Sequence, residues 1–168
     1  MQGQDIALLL KLSLVKGKPM LSKDLALELF LSPSEISKSL QRSREASLIY
    51  LGPNEKRVNR LGLLELLVHG IRYVFPPQRG GLTRGIPTGA STDPLSSSFA
   101  PDTEPPAVWP YVEGTIRGLS FSPLYKGAPQ AALLDKELYK LLALCDAIRG
   151  GRTRERTLAS GMLKEALS

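Results

Sequence analysis

Five polar side chains within nine residues carry the clearest chemical signal of this sequence. They combine hydroxyl groups, an amide and two cations, on Ser34, Ser37, Lys38, Gln41 and Arg42. Side chains of these types hydrogen-bond to base edges and pair with phosphates. If they share one surface, that surface is suited to contact nucleic acid.

The apolar residues between them indicate that the polar set lies on the outer face of a helix. Ile36 and Leu40 are four residues apart, so both face inward and the polar residues face outward. Ser32 followed by Pro33 predicts the start of this helix, because serine caps it and proline suits the first helical position. We expect the helix to cover about residues 33–46.

Other helices and a short hairpin are expected around this helix. Helical spacing predicts one helix over about residues 5–16, apolar on more than one side, and another over 22–31. A turn cluster between two short apolar stretches predicts a β-hairpin over 48–58. The following helix, about 60–69, is apolar almost all round, so later segments or a second subunit should cover it. Residues 71–75 are expected to be extended.

The segment resembles the helix-turn-helix of bacterial winged-helix transcription regulators, such as the MarR and Lrp-like groups. The resemblance covers about residues 4–60 and rests on the motifs Asp24-Leu25-Ala26, Leu31-Ser32-Pro33-Ser34, Ile36-Ser37-Lys38-Ser39-Leu40 and Ala46 with Leu48-Ile49. Two positions depart from the pattern. Ser43 stands where a third apolar residue is usual, and Ser47 stands where glycine often ends the helix.

This resemblance implies a homodimer that inserts the 33–46 helix into the major groove of double-stranded DNA. Lys38, Gln41 and Arg42 would contact bases or nearby phosphates. The DNA backbone would be anchored by a second set of residues, Ser32, Ser34, Ser37, Lys56 and Arg57. An ordinary helical hairpin within a core is the alternative for this stretch. For Lys56 and Arg57 the separate alternative is a surface loop with solvated charges.

Composition is compatible with a basic globular protein. The chain has 168 residues, 42% of them hydrophobic, a net charge of +6 and a pI of about 9.6. Residues 1–75 contain 11 Lys and Arg against 7 Asp and Glu, so most of the excess charge lies there. Cys145 is the only cysteine, which precludes an intrachain disulfide and fits a reducing cytoplasm. No signal-peptide pattern or membrane-spanning stretch is evident.

The middle segment, residues 76–128, reads as an extended arm or linker with an apolar anchor. From residue 76 to about residue 110 it is rich in proline, glycine and serine and lacks periodicity, so we expect a linker, a wrapping arm or a loop ordered by a partner there. Apolar residues return over 108–121, where they could form a strand or an extended anchor. Arg79 and Arg84 lie on flexible backbone, where they would either enter a minor groove or remain solvated. Trp109 is interpreted as a core anchor, with an interface anchor as the alternative.

The last segment, residues 129–168, is expected to form a helical hairpin that completes the core or dimerises. Four arginines cluster at its turn: Arg149, Arg152, Arg154 and Arg156. Like charges this close repel unless they meet carboxylates or phosphates. A second nucleic-acid contact, an acidic protein surface and a solvated turn all remain open.

The sequence therefore predicts a mainly α fold with a winged helix-turn-helix over residues 1–75, an extended middle segment and a C-terminal helical hairpin. The predicted function is a sequence-specific DNA-binding transcription regulator. The alternative is an antitoxin-like or adaptor module that holds a partner protein through the middle arm and the arginine turn. No phosphate-binding loop, nucleophile elbow or metal-ligand cluster is recognisable, so we predict no catalytic residues, metal or cofactor.

Overall fold

The first helix lies at the centre of the molecule. The structure is a computed structural model that describes residues 1–15 and 19–168, so the predicted helix end at residue 16 lies outside the described residues. Helix α1 (Gly3–Leu14) contacts α2 (Ser22–Leu29), α3 (Pro33–Glu45) and a C-terminal helix. Its side chains from residue 6 to residue 10 are 0% exposed. The expected broad apolar surface is thus covered largely by the chain itself.

Helix α3 begins where the sequence predicts. The Ser32 hydroxyl accepts a hydrogen bond from the Glu35 amide at 3.1 Å, and the Ser32 amide donates to the Glu35 carboxylate at 2.7 Å. This reciprocal capping box satisfies two amides that a helix start otherwise leaves without partners. Ile36 and Leu40 point into the core, as their spacing predicts. Phe30, at the end of α2, takes a left-handed conformation with φ of 53°.

The expected hairpin follows α3. Strands β1 (Ile49–Leu51) and β2 (Lys56–Val58) pair antiparallel, with Ile49 opposite Val58. Ser47 precedes the hairpin with a φ of 59°, in the region that favours glycine. Glycine often ends the helix at this position of the helix-turn-helix pattern, and the positive φ explains why.

One helical run continues beyond its predicted end. It comprises α4 (Arg60–Glu65), a π-helical turn (Leu66–Gly70) and α5 (Ile71–Val74). The prediction of an extended stretch over 71–75 was therefore wrong, because residues 71–74 remain helical. Helices from the C-terminal part of the same chain pack against this run. Of the two partners expected for its apolar residues, later segments and a second subunit, the later segments are present.

The middle segment is folded and is not a free arm. Strand β3 (Arg79–Pro87) pairs antiparallel with β4 (Ala107–Pro110) and with β5 (Ile116–Phe121), while β4 and β5 pair in parallel. The three strands close on themselves as a small barrel. The prediction of a linker or partner-ordered loop was wrong for β3, whereas β4 and β5 lie where a strand was one of the alternatives.

The barrel is attached to the C-terminal helices through a buried carboxylate. Trp109, 1% exposed, donates its indole N–H to Asp146 at 2.7 Å, and Thr88 donates its hydroxyl at the same distance. Arg149 also donates to Asp146, at 2.6 Å. Burial raises the pKa of Asp146, against the opposing effect of the Arg149 charge. Trp109 is thus a core anchor, as predicted.

The C-terminal segment forms α6 (Ala128–Leu134), α7 (Lys136–Gly150) and α8 (Thr153–Leu167), and α7 packs against α8 as the predicted hairpin. The Asp135 carboxylate caps α7, accepting the amides of Glu137 and Leu138 at 3.0 and 3.1 Å. One hydrophobic core contains residues from all three predicted segments. The fold is mixed α/β, with more than half of the residues helical, rather than mainly α.

Candidate nucleic-acid interface

Most of the predicted polar face of α3 is exposed. Ser34, Ser37, Lys38 and Gln41 all lie on the surface. The Gln41 amide donates to Glu45 one turn later, at 2.9 Å. Ser32 is exposed too, but one lone pair of its hydroxyl accepts the capping hydrogen bond, which leaves its O–H donor and its second lone pair. The face therefore offers hydroxyls, an amide and an ammonium group to a ligand.

Arg42 does not belong to that face. Its guanidinium binds the Asp5 carboxylate of α1 through two hydrogen bonds, Nε to Oδ2 at 2.8 Å and Nη2 to Oδ1 at 2.7 Å. Asp5 is 0% exposed, and the Arg42 side chain is 23% exposed. The prediction that Arg42 shares the outward face of α3, where it would contact bases or nearby phosphates, was wrong about that face, because this arginine neutralises a buried carboxylate.

The Asp5 carboxylate accepts further hydrogen bonds besides those from Arg42. Ser39 donates its hydroxyl to Asp5 at 2.5 Å, and the Gln2 amide donates at 2.7 Å. Burial alone would raise the pKa of Asp5, but the hydrogen bonds from Arg42, Ser39 and Gln2 outweigh it and hold this pKa below its usual value. Asp5 is therefore ionised, and it fixes α1 against α3.

Arg44 is the cation that the sequence analysis missed. It is exposed near the end of α3, and within the described residues its guanidinium has no ion-pair or hydrogen-bond partner. Helical spacing carries a usable signal, because Arg44 lies three residues after Gln41 and so shares its face. Arg44, Tyr50 and Arg57 line one cleft between α3 and the hairpin.

The two hairpin cations differ in their freedom to bind. Lys56 is half-buried and donates to the Met20 carbonyl at 3.0 Å, which leaves two of its N–H donors available. Arg57 is 70% exposed, lies 5.5 Å above the Tyr50 ring and is 3.9 Å from the Glu55 carboxylate. Exposed pairs of this length contribute little, so Arg57 can exchange Glu55 for a phosphate.

Acidic side chains moderate the charge of this surface. Glu35 and Glu45 are exposed on α3 together with Lys38 and Arg44. The hydrogen bond from the Ser32 amide holds the pKa of Glu35 below its usual value, so this carboxylate stays ionised at neutral pH. The interface thus presents separated cations with polar groups between them, and not a continuous basic patch.

Among the arginines considered for a second contact, those of the C-terminal turn all have contacts within the protein. Arg149 is 6% exposed and binds Asp146 and the Phe75 carbonyl, the latter at 2.8 Å. Arg152 lies 3.4 Å from Asp102 and 3.5 Å from Glu104. Carboxylates of the same chain thus balance part of the positive charge of this turn.

The other two arginines of the turn also have internal contacts. The Arg154 guanidinium lies 5.8 Å from the centre of the Phe99 ring. Arg156 donates to the Gly151 carbonyl at 3.1 Å and to the Thr153 hydroxyl at 3.3 Å. The turn thus contacts the 99–104 segment and its own backbone, while Arg152 and Arg154 themselves remain exposed.

Arg79 and Arg84 occupy the same strand but differ in their contacts. Arg79 donates to the Gly150 carbonyl and lies 5.3 Å above the Phe121 ring, so it joins β3 to α7. Arg84 is exposed, and no ion-pair or side-chain hydrogen-bond partner is found for its guanidinium in the part of the chain that the structure describes. Only Arg84 of the two is free to meet an anion.

No protein-family model, curated protein or solved structure matches this chain. Within residues 1–15 and 19–168, no three or more His, Cys, Asp or Glu side chains are grouped as metal ligands would be. None of the described helices combines the length and apolar character needed to cross a bilayer.

Proposed function

We propose that the protein is a sequence-specific DNA-binding transcription regulator of the winged-helix type, acting as a homodimer. The observation that carries this proposal is the exposed face of α3, which presents Ser34, Ser37, Lys38, Gln41 and Arg44 beside a two-stranded hairpin. Helices of this kind enter the major groove of B-DNA, where amides and cations distinguish base pairs.

The order of elements supports the same proposal. Three helices are followed by a short antiparallel hairpin, and the second and third helices are joined by only a few residues. In this arrangement α3 is the recognition helix and the hairpin is the wing. Lys38, Gln41 and Arg44 contact base edges or adjacent phosphates, while Lys56 and Arg57 contact the backbone. In a homodimer, two α3 helices about one duplex turn apart would read a palindromic site.

The role of Arg42 changes within this proposal. It sets the position of α3 by binding Asp5 of α1, and Arg44 takes its place as the arginine at the DNA. Removal of Lys38 and Arg44 should weaken binding to the preferred sequence by tenfold or more, because each specific contact contributes about 1–3 kcal/mol.

The test is an anisotropy titration with two labelled duplexes of equal length. One carries the DNA upstream of the protein's own coding sequence, and the other carries a shuffled sequence. We expect tighter binding to the first duplex, lost in Lys38→Ala/Arg44→Ala. A matched variant, Lys136→Ala/Lys164→Ala, removes two exposed cations of α7 and α8 and should bind as the wild type does. Equal affinity for both duplexes would count against a sequence-specific regulator.

A protein-binding function is favoured by a different surface. Leu27 and Phe30 of α2 are 74% and 51% exposed, and Leu133 and Leu134 of α6 are 56% and 61% exposed. Helices α2 and α6 are in contact, so these apolar side chains belong to neighbouring elements. Concentrated apolar exposure is typical of protein interfaces. An antitoxin or adaptor would hold its partner here rather than at the arginine turn.

This alternative predicts a stable complex with the product of an adjacent, co-transcribed gene. Co-expression of the two chains followed by size-exclusion chromatography should then give a single species. Leu27→Lys/Leu134→Lys should release the partner without unfolding the chain. If the two co-expressed chains elute separately at every concentration tested, the alternative is wrong.

A further inference from the structure

The small barrel carries a pair of arginines directly opposite one another. Arg84 of β3 and Arg117 of β5 are cross-strand partners in an antiparallel ladder, so their side chains leave the sheet on the same face. Both are exposed. Opposed Cβ atoms in such a ladder are about 5 Å apart, and like charges in this position destabilise the pairing.

Nothing described in the protein balances this pair. Within residues 1–15 and 19–168, neither guanidinium has an ion-pair, hydrogen-bond or aromatic partner, a condition shared among the described arginines only by Arg44. The acid of the β4–β5 connection, Glu113, accepts a hydrogen bond from the Tyr111 hydroxyl at 3.3 Å. The two positive charges therefore face solvent and are available to an external anion.

We propose that Arg84 and Arg117 form a second nucleic-acid contact, in which the β3–β5 ribbon binds duplex DNA separately from α3. This inference rests on the proposed function and adds a second reading element to it. The antiparallel β3–β5 pair is one side of the barrel, and paired guanidinium forks on it bind phosphates or guanine edges with two hydrogen bonds each.

The residues around the pair suit a DNA groove. The same ribbon exposes Leu82, at 55%, two residues before Arg84 and on the same face, and Leu82 lines one groove with the two arginines. Apolar side chains beside cations in a major groove contact thymine methyl groups. A two-fold contact of this surface with a second copy of the chain is disfavoured, because it would bring four arginines together.

Charge complementarity favours nucleic acid over an acidic protein. A duplex presents one charge for about every 1.7 Å of helix axis, so phosphates lie within reach of the pair all along it. A protein segment must place two carboxylates at the right spacing to do the same. The ribbon itself is pinned at its base by Arg79, which binds the Gly150 carbonyl of α7.

The experiment measures duplex affinity against salt concentration for four proteins. These are the wild type, Arg84→Gln/Arg117→Gln, Lys38→Ala/Arg44→Ala and the charge-matched control Lys136→Ala/Lys164→Ala. Loss of two phosphate contacts should weaken binding roughly tenfold per contact and lower the slope of log affinity against log salt by about two. Circular dichroism establishes that each variant is folded, and Arg84→Lys/Arg117→Lys should keep the slope.

The outcomes separate this inference from the proposed function. If the glutamine variant binds as the control does while the α3 variant is impaired, the second contact is wrong and the regulator stands. If only the glutamine variant is impaired, the ribbon contact stands and recognition by α3 is wrong. A wild-type protein that binds no duplex overturns both. If polyglutamate binds the wild type as tightly as the duplex does, and the glutamine variant loses this binding, the arginine pair binds an acidic protein and the nucleic-acid contact is wrong.

Discussion

Arg42 of α3 and Asp5 of α1 form a two-hydrogen-bond ion pair across the interface between their helices. Asp5 would be an uncompensated charge in the core without this partner. The pair sets the orientation of α3 about its own axis. The outward orientation of the residues proposed to meet DNA therefore depends on the Arg42–Asp5 contact, which lies on the side of α3 that faces α1.

Replacement of Arg42 should affect stability far more than replacement of its neighbour Arg44. Arg42→Ala leaves a buried carboxylate without its cation, which typically costs about 3–5 kcal/mol. Arg44→Ala removes an exposed side chain and should change the free energy of unfolding by less than about 0.5 kcal/mol. Urea unfolding followed by circular dichroism measures both values. Equal stability of the two variants would show that the Asp5 pair does not hold α3.

The same carboxylate should make the protein sensitive to acid. The folded pKa of Asp5 is lower than its unfolded value, so its stabilisation is present above about pH 4 and is lost as pH falls through the folded pKa. Asp5→Asn should be less stable than the wild type at pH 7, and the difference should shrink toward pH 2. Thermal unfolding across this range provides the comparison. A difference that stays constant with pH would exclude Asp5 as the titrating group.

Trp109 should contribute a specific hydrogen bond in addition to its packing. Trp109→Phe keeps an aromatic ring but leaves the buried Asp146 carboxylate without its indole donor, at a cost of about 1–3 kcal/mol. Leu95→Ala serves as a comparison, since it removes only buried apolar atoms and should cost about 2–5 kcal/mol. Unfolding monitored at several pH values distinguishes them, because only the first variant should alter the titration of Asp146.

Two glycines of β3 offer a matched pair of substitutions. A Cβ at Gly85 would lie 1.9 Å from the Trp109 carbonyl oxygen, whereas a Cβ at Gly81 would meet nothing within 4 Å. Gly85→Ala should therefore destabilise the protein by about 2 kcal/mol or more, and Gly81→Ala should be nearly neutral. Melting temperatures of the two variants test this directly. A neutral Gly85→Ala would mean that β3 and β4 are not as close as the structure places them.

Local signals made the N-terminal and C-terminal helices predictable. Ser32 and Pro33 mark the start of α3 within two adjacent residues, and Asp135 marks α7 in the same way. Capping and helical spacing depend on neighbours within one or two turns. The exposed face of α3 follows from the same spacing, with the exception of Arg42.

The barrel and the Arg42 pair could not be predicted, because both depend on contacts between distant residues. Arg42 meets a residue 37 positions earlier, and helical periodicity does not reveal which polar side chain finds a buried partner. In the barrel, glycines that indicate flexibility in a sequence serve for close approach instead. A Cβ at Gly118 would lie 2.1 Å from the Pro106 carbonyl oxygen. A proline- and glycine-rich composition therefore concealed a folded sheet.

The enclosure of α1 has a consequence for synthesis on the ribosome. Helix α7, one of the helices that cover α1, is translated more than a hundred residues after it. Until then Ile6, Leu8 and Leu9 have no complete apolar surroundings, so the nascent chain exposes a strongly aggregation-prone segment. Ribosome-bound intermediates that stop before α7 should accordingly be the ones that recruit chaperones.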